Sequence, residues 1–179
     1  MSSKDAISEK PNITMKMSPE GRARMRATEK AIYRYYNDMG KNKGHCTWGV
    51  GILAHKGVCT EEELGKKVSV EMVDQEYERK VAETEGIVRR NIIIPLTQAQ
   101  FDALCSLAYN AGAKGSRNTF ALVNKGDFAG AAANMALMIK VEVVEKGKKK
   151  YVIAPGLIRR RAAESAPFLE KKAATAASK

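Results

Sequence analysis

The clearest period-two alternation in the chain runs from His45 to His55. Cys46, Trp48, Val50 and Ile52 fall on one side of such a strand, and Thr47, Gly49 and Gly51 on the other. One face is therefore packed and the other almost bare. Glycine weakens a strand, so two on one face indicate that something approaches the backbone closely. That something is either a ligand or another piece of chain in a tight hairpin, and the pattern alone leaves both open. Around this short β region the periodicity is mostly helical, which predicts an α+β fold with two unequal lobes. A cleft between such lobes is the expected place for a ligand.

The helical signals are local and specific. Residues 1–17 lack periodicity and are expected to form a loose leader. Ser18-Pro19-Glu20 predicts a helix start, with the helix running to about Glu29. Ile32 to Tyr36 is aromatic and β-prone, and a loop carrying Asn37, Asp38, Gly40 and Gly44 follows. Thr60 with Glu63 makes a capping-box pattern for a short helix, and Ser69 precedes a longer one with Val70, Val73, Tyr77 and Val81 on one stripe. Thr97 with Gln100 marks another start, before Phe101, Leu104, Cys105 and Ala108 at core spacing and a stop at Gly112. Asp127 caps an alanine-rich helix. Val141–Val144 and Tyr151–Ile153 predict a hairpin, and a last helix runs from Leu157 to about Ala166. The expected layout is a leader at 1–17, one domain at 18–170 and a basic Ala/Lys tail at 171–179. Within the domain, 18–65 is the small lobe and 66–170 the helical lobe.

Length, charge and cysteine content narrow the function classes. A chain of 179 residues suits one domain with a sizeable core. No apolar run is long enough to span a bilayer, and Met1 to Lys16 lacks the apolar stretch of a secretory signal. The net charge of +11 predicts an anionic partner. The basic residues are scattered, however, without the aromatic interleaving of a strand-binding groove, so nucleic acid is not the expected partner. Cys46, Cys59 and Cys105 are odd in number and lack paired C-x-x-C spacing, and only His45 and His55 could join them. The expectation is free thiols, no metal site and no cofactor. A Cys46–Cys59 bridge would require an oxidising compartment.

Glu29 is the candidate acid. Met25 lies one turn before it and Ile32 about one turn after, an apolar setting of the kind that keeps a carboxylic acid protonated. Pairing with Arg26 or Lys30 on the surface is the competing reading, which periodicity by itself favours.

Glu29, then Asp38 nine positions on, then Thr47-Trp48-Gly49-Val50-Gly51, resembles the active-site segment of the phage-type lysozymes, glycoside hydrolase family 24. Further motifs follow in the family's order. Gln100-Phe101-Asp102-Ala103-Leu104 with Ala108-Tyr109-Asn110-Ala111-Gly112 is similar to its central helix. Thr119 to Asp127 resembles the next helix and turn, and Gly156-Leu157, Arg160-Arg161 and Glu164 resemble its C-terminal motif. Together they cover residues 18–165, where any one motif alone would be weak.

The resemblance implies a lysozyme-like fold and hydrolysis of the β-1,4 bond between N-acetylmuramic acid and N-acetylglucosamine in peptidoglycan. Glu29 would be the general acid, and Asp38 and Thr47 would hold the attacking water, with inversion at the anomeric carbon. Gly49, Gly51 and Asn110 are the expected substrate-binding residues, with the bare strand face lining the sugar cleft. The implied partners are glycan strands and the anionic cell envelope, met by a monomer held in the host cytoplasm until release to the wall. The same chemistry would serve a delivered antibacterial toxin, and the same fold a non-catalytic wall-binding module. Two departures stand out. The spacing from Asp38 to Thr47 exceeds the family's usual one, so His45 or Cys46, inside that stretch, is an alternative water-positioning group. The tryptophan that often follows the region of Ala133 to Met138 is absent, and the expected hairpin takes its place.

Overall fold

A computed structural model of the protein describes residues 10–145 and 148–170. In chain order the elements are α1 (Pro19–Thr28), β1 (Ile32–Asn37), β2 (Cys46–Gly49), β3 (Ile52–His55), α2 (Glu61–Gly65), α3 (Val70–Asn91), α4 (Gln98–Asn124), α5 (Phe128–Ala136), β4 (Lys140–Glu145), β5 (Lys148–Ile153) and α6 (Pro155–Leu169). This is an α+β fold, with two small sheets among six helices in the described residues. The chain divides into two compact units, Pro19–Glu83 and the remainder, the division falling inside α3.

In the unit at Pro19–Glu83, β1, β2 and β3 form an antiparallel sheet in that order. The stretch expected as one strand is a hairpin. Gly49 and Gly51 take positive φ, +62° and +80°, and turn the chain at Val50-Gly51, so the alternation does not continue through a single strand. Gly49 answers the question its bare face raised: a Cβ there would sit 3.3 Å from Val73 Cγ2 of α3. At Gly51 nothing lies within 4 Å of such a Cβ. Val73, Tyr77 and Val81 form the buried stripe of α3 as the spacing requires, whereas Val70, the first residue of the helix, is exposed.

Cys46 and Cys59 form a disulfide, contrary to the expectation of free thiols. The odd count concealed the pair because Cys105, buried in α4, takes no part in it. The bridge closes a loop of sequence separation 13, so replacing both cysteines with serine is expected to destabilise the oxidised protein by about 3 kcal/mol. Thermal unfolding should then shift down by roughly 5–10 °C. An unchanged midpoint would show that the hairpin holds its geometry without the bridge.

In the other unit the capping box at Thr97 and Gln100 starts α4, and Gly112, with φ +69°, kinks it before the helix resumes to Asn124. Phe101, Leu104, Leu107, Val123 and Met135 are fully buried where α4, α5 and α6 pack together. Phe128 meets Phe168 edge-on, with ring centroids 5.8 Å apart.

Residues 10–17 are not loose. Asn12, 1% exposed, donates to the Ile94 carbonyl at 2.8 Å and accepts from the Leu96 amide at 3.1 Å. Met17 donates its amide to Glu85, and Arg89 donates to the Met15 carbonyl. One buried amide side chain thus fastens a segment that has no apolar periodicity. The expected tail at 171–179 lies outside the described residues. Among the described residues, no helix is long and apolar enough to cross a membrane.

Candidate active site

α1 ends at Thr28, one residue before Glu29. The Glu29 amide still donates to the Arg26 carbonyl at 3.2 Å, so the carboxylate leaves the helix on its last turn, half-buried. Nearby, Arg26 bonds Asp74 at 2.9 Å and lies over the Tyr77 ring.

β1 carries the chain from Glu29 to Asp38, and its register with β2 sets Tyr36 directly opposite Thr47. Residues facing each other across an antiparallel pair share one face of the sheet, so Tyr36 and Thr47 are neighbours. Burial pushes the Tyr36 phenol above its ordinary pKa, and the negative charges of Asp38 and Glu29 push it further. Tyr77 is likewise pushed up, to about 12, by burial and then by Glu78, with Glu29 contributing. It stays neutral and donates to the Arg22 carbonyl at 3.0 Å. Tyr36 was missed in the sequence because an aromatic in a β-prone run reads as packing. Its position two residues before Asp38, on the same side of the strand, was the available signal.

Asp38 is exposed, and its Oδ1 accepts from the His45 amide at 2.7 Å, while its own amide donates to the His45 carbonyl. The inserted residues thus close on themselves as a small loop beneath the carboxylate. Gly44 permits this: it has φ +82°, and a Cβ there would lie 2.0 Å from Asp38 Oδ1. His45 Nδ1 accepts the Gly57 amide at 3.1 Å, which ties the ring to the far end of the hairpin. Thr47 is buried, and its Oγ1 donates to the His45 carbonyl at 3.2 Å. Cys46 is bridged, so it has no thiol with which to replace Asp38.

The expected site residues Glu29, Asp38, Thr47, Gly49 and Gly51 all lie in the unit at Pro19–Glu83. Asn110 lies in the other unit, where its side-chain oxygen accepts from Arg161. Arg161 and Glu164 are 2% and 3% exposed and paired, with Arg160 on the second Glu164 oxygen at 3.1 Å. The C-terminal motif is therefore a buried ionic knot of α6.

The family model described as Phage lysozyme matches residues 26–164. An endolysin of Acyrthosiphon pisum secondary endosymbiont phage 1 is 35% identical over 107 residues, 59% of this chain and 70% of that protein. An endolysin from Escherichia coli O157:H7 phage FAHEc1 superposes with a TM-score of 0.69 at 30% identity, covering 88% of this chain and 95% of that one. The muramidase domain of SpmX from Asticaccaulis excentricus superposes with a TM-score of 0.66 at 27% identity, covering 87% and 99%. The matched segment holds Glu29, Asp38, Thr47 and the knot at Arg161–Glu164, and the chain belongs to the phage lysozyme family of glycoside hydrolases, which act on peptidoglycan.

Proposed function

We propose that the protein is an endolysin that inverts the anomeric carbon as it hydrolyses the bond between N-acetylmuramic acid and N-acetylglucosamine, with Glu29 as proton donor. The observation that supports this reading is the β1–β2 register, which sets Thr47 opposite Tyr36, two residues before Asp38, while Asp38 itself is fixed on the His45 amide. Leaving-group protonation needs one carboxylic acid, and inversion needs a second group to hold water on the opposite face of the sugar. Glu29 takes the first role, and Asp38 with Thr47 the second. Gly51, with open space beside its Cα, and Asn110 are proposed to meet the glycan. Gly49 serves through its packing on Val73. The disulfide suits work outside a reducing cytoplasm.

The role of Asp38 has a direct test. Asp38→Ala should lower lysis by roughly 10²-fold, and more than Asp38→Glu or Asp38→Cys, because an acceptor at about the right distance retains part of the water positioning. His45→Ala should cost less than Asp38→Ala, since its ring serves the hairpin. If Asp38→Ala lyses walls normally and His45→Ala does not, the insertion has moved the role to His45.

We further propose that the monomer reaches its substrate through attraction to the anionic envelope. Lys148, Lys149 and Lys150 are exposed on β5, although Lys149 is paired with Glu142 at 2.9 Å. Long-range attraction is screened beyond about 10 Å at ~0.1 M salt. Wall lysis should therefore fall as salt rises, while hydrolysis of a short, neutral, soluble fragment should barely change. Equal salt dependence of the two reactions would remove surface attraction from the account. The Lys146 part of this basic stretch lies outside the described residues.

A further inference from the structure

The apolar side chains of the β4–β5 hairpin have no part in the glycosidase reading. Its strands pair from Lys140 opposite Ile153 to Glu145 opposite Lys148, and the Ala154 amide closes the base on the Ile139 carbonyl at 2.8 Å. Among the described residues, neither strand packs appreciably on any other element. A two-stranded hairpin with no third strand or helix against it is marginal in water by itself. Yet this one turns apolar side chains to solvent. Tyr151 is 68% exposed and Ile153 56%, and Val141 on the facing strand is exposed as well. So is Leu137, which ends α5 just before β4. Such side chains gathered on one projecting element mark a surface that something covers.

The surrounding charge identifies the occupant. Residues 140–153 hold five lysines against two glutamates. One of those glutamates is already answered within the hairpin: Glu142 pairs with Lys149 at 2.9 Å and accepts the Tyr151 hydroxyl at 3.3 Å. Lys140, Lys148 and Lys150 are exposed, as is Arg159 early in α6. By register, Tyr151, Ile153, Lys140 and the Glu142–Lys149 pair share one face. A second copy of the chain laid on that face would bring like charges together, which disfavours it. A soluble polyanion would meet the lysines and leave Tyr151, Ile153 and Val141 in water. A bilayer rich in acidic phospholipid suits both kinds of side chain. Its phosphates meet the lysines, and the boundary beneath them takes the apolar groups. Tyrosine, with an apolar ring and a polar tip, is favoured at that boundary.

We propose that the β4–β5 hairpin is a membrane-docking element that lies on acidic phospholipid, with Tyr151 and Ile153 entering among the headgroups and Lys140, Lys148 and Lys150 on their phosphates. The long lysine stems let the ammonium groups reach the phosphates from either face of the hairpin. Docking is non-covalent and reversible. It goes beyond long-range attraction to the envelope, which requires charge and no apolar side chain. Binding to a vesicle is read without turnover, so its failure leaves the glycosidase assignment untouched.

The test is co-sedimentation of the full chain with vesicles of equal parts phosphatidylglycerol and phosphatidylcholine, compared with phosphatidylcholine alone. The acidic vesicles should bind it at least about 10-fold more tightly. Tyr151→Ser/Ile153→Ser should weaken that binding by roughly 10-fold and leave retention on immobilised polyphosphate unchanged. Lys148→Ala/Lys150→Ala should weaken both, each by roughly 10-fold. The indole introduced by Tyr151→Trp should be quenched by bromine on the lipid tails, beyond any quenching of the wild type, whose single tryptophan is Trp48. Circular dichroism and unchanged thermal unfolding establish that each variant is folded. Equal affinity for the two kinds of vesicle would overturn the proposal. So would vesicle binding by the folded serine variant that matches the wild type, since charge alone would then suffice. A concentration-dependent dimer that the serine variant loses would also overturn it, with a second copy as the occupant.

Discussion

Glu29→Gln lowers the rate of wall lysis by at least about 10³-fold and leaves thermal unfolding unchanged. Glutamine keeps the size of the side chain and its capacity to hydrogen-bond, but it has no acidic proton for the departing sugar oxygen. Its fold should survive because Glu29 lies just beyond α1 and is half-buried, and its amide bond to the Arg26 carbonyl does not involve the side chain. Binding of the wall should be retained, so the loss belongs to turnover rather than to affinity. Lysis within a few-fold of wild type, by a variant with normal unfolding, would remove Glu29 from the acid role.

The largest expected loss of stability comes from Glu164→Ala. Glu164 is 3% exposed and accepts from Arg161, from Arg160 at 3.1 Å and from Ser106 at 2.6 Å. Arg161 reaches the Met138 carbonyl at 3.0 Å, and Arg160 the Ser106 carbonyl at 3.0 Å. One carboxylate therefore compensates two guanidinium groups that tie α6 to α4 and to the turn after α5. Removing one partner of a buried pair leaves an uncompensated charge and costs about 3–5 kcal/mol. For a chain of this size that lowers the unfolding midpoint by roughly 10 °C. Glu76, which pairs with Arg79 where the arginine is 63% exposed, supplies the contrast. Glu76→Ala should cost at most about 1 kcal/mol. Equal costs at the two sites would show that the knot is not desolvated.

Much of this architecture was legible because its signals are local. The boxes at Thr60–Glu63 and Thr97–Gln100 and the cap at Asp127 form where the sequence places them, since each is completed within three residues. The order of Glu29, Asp38 and Thr47 was legible as a motif. That Thr47 stands opposite Tyr36 was not, because it depends on the register of β1 against β2. Alternation from His45 to His55 indicated β structure but could not separate one strand from two. The turn depends on the positive φ of Gly49 and Gly51, and a period-two pattern carries no sign of it. The disulfide and the docking of residues 10–17 were hidden for a related reason. Each rests on a long-range meeting, Cys46 with Cys59 and Asn12 with Ile94 and Leu96, that leaves no periodic trace.

The most direct test of the central claim is the chemistry of the cleaved end. Purified peptidoglycan digested with the wild-type protein, then reduced with borohydride and hydrolysed, should yield muramitol from newly exposed N-acetylmuramic acid. Before reduction, early products observed by proton NMR should carry that end first as the α-anomer, the outcome of water attacking opposite the β-bond under Asp38 and Thr47. New reducing ends on N-acetylglucosamine, or muramic acid released first as the β-anomer, would contradict the account.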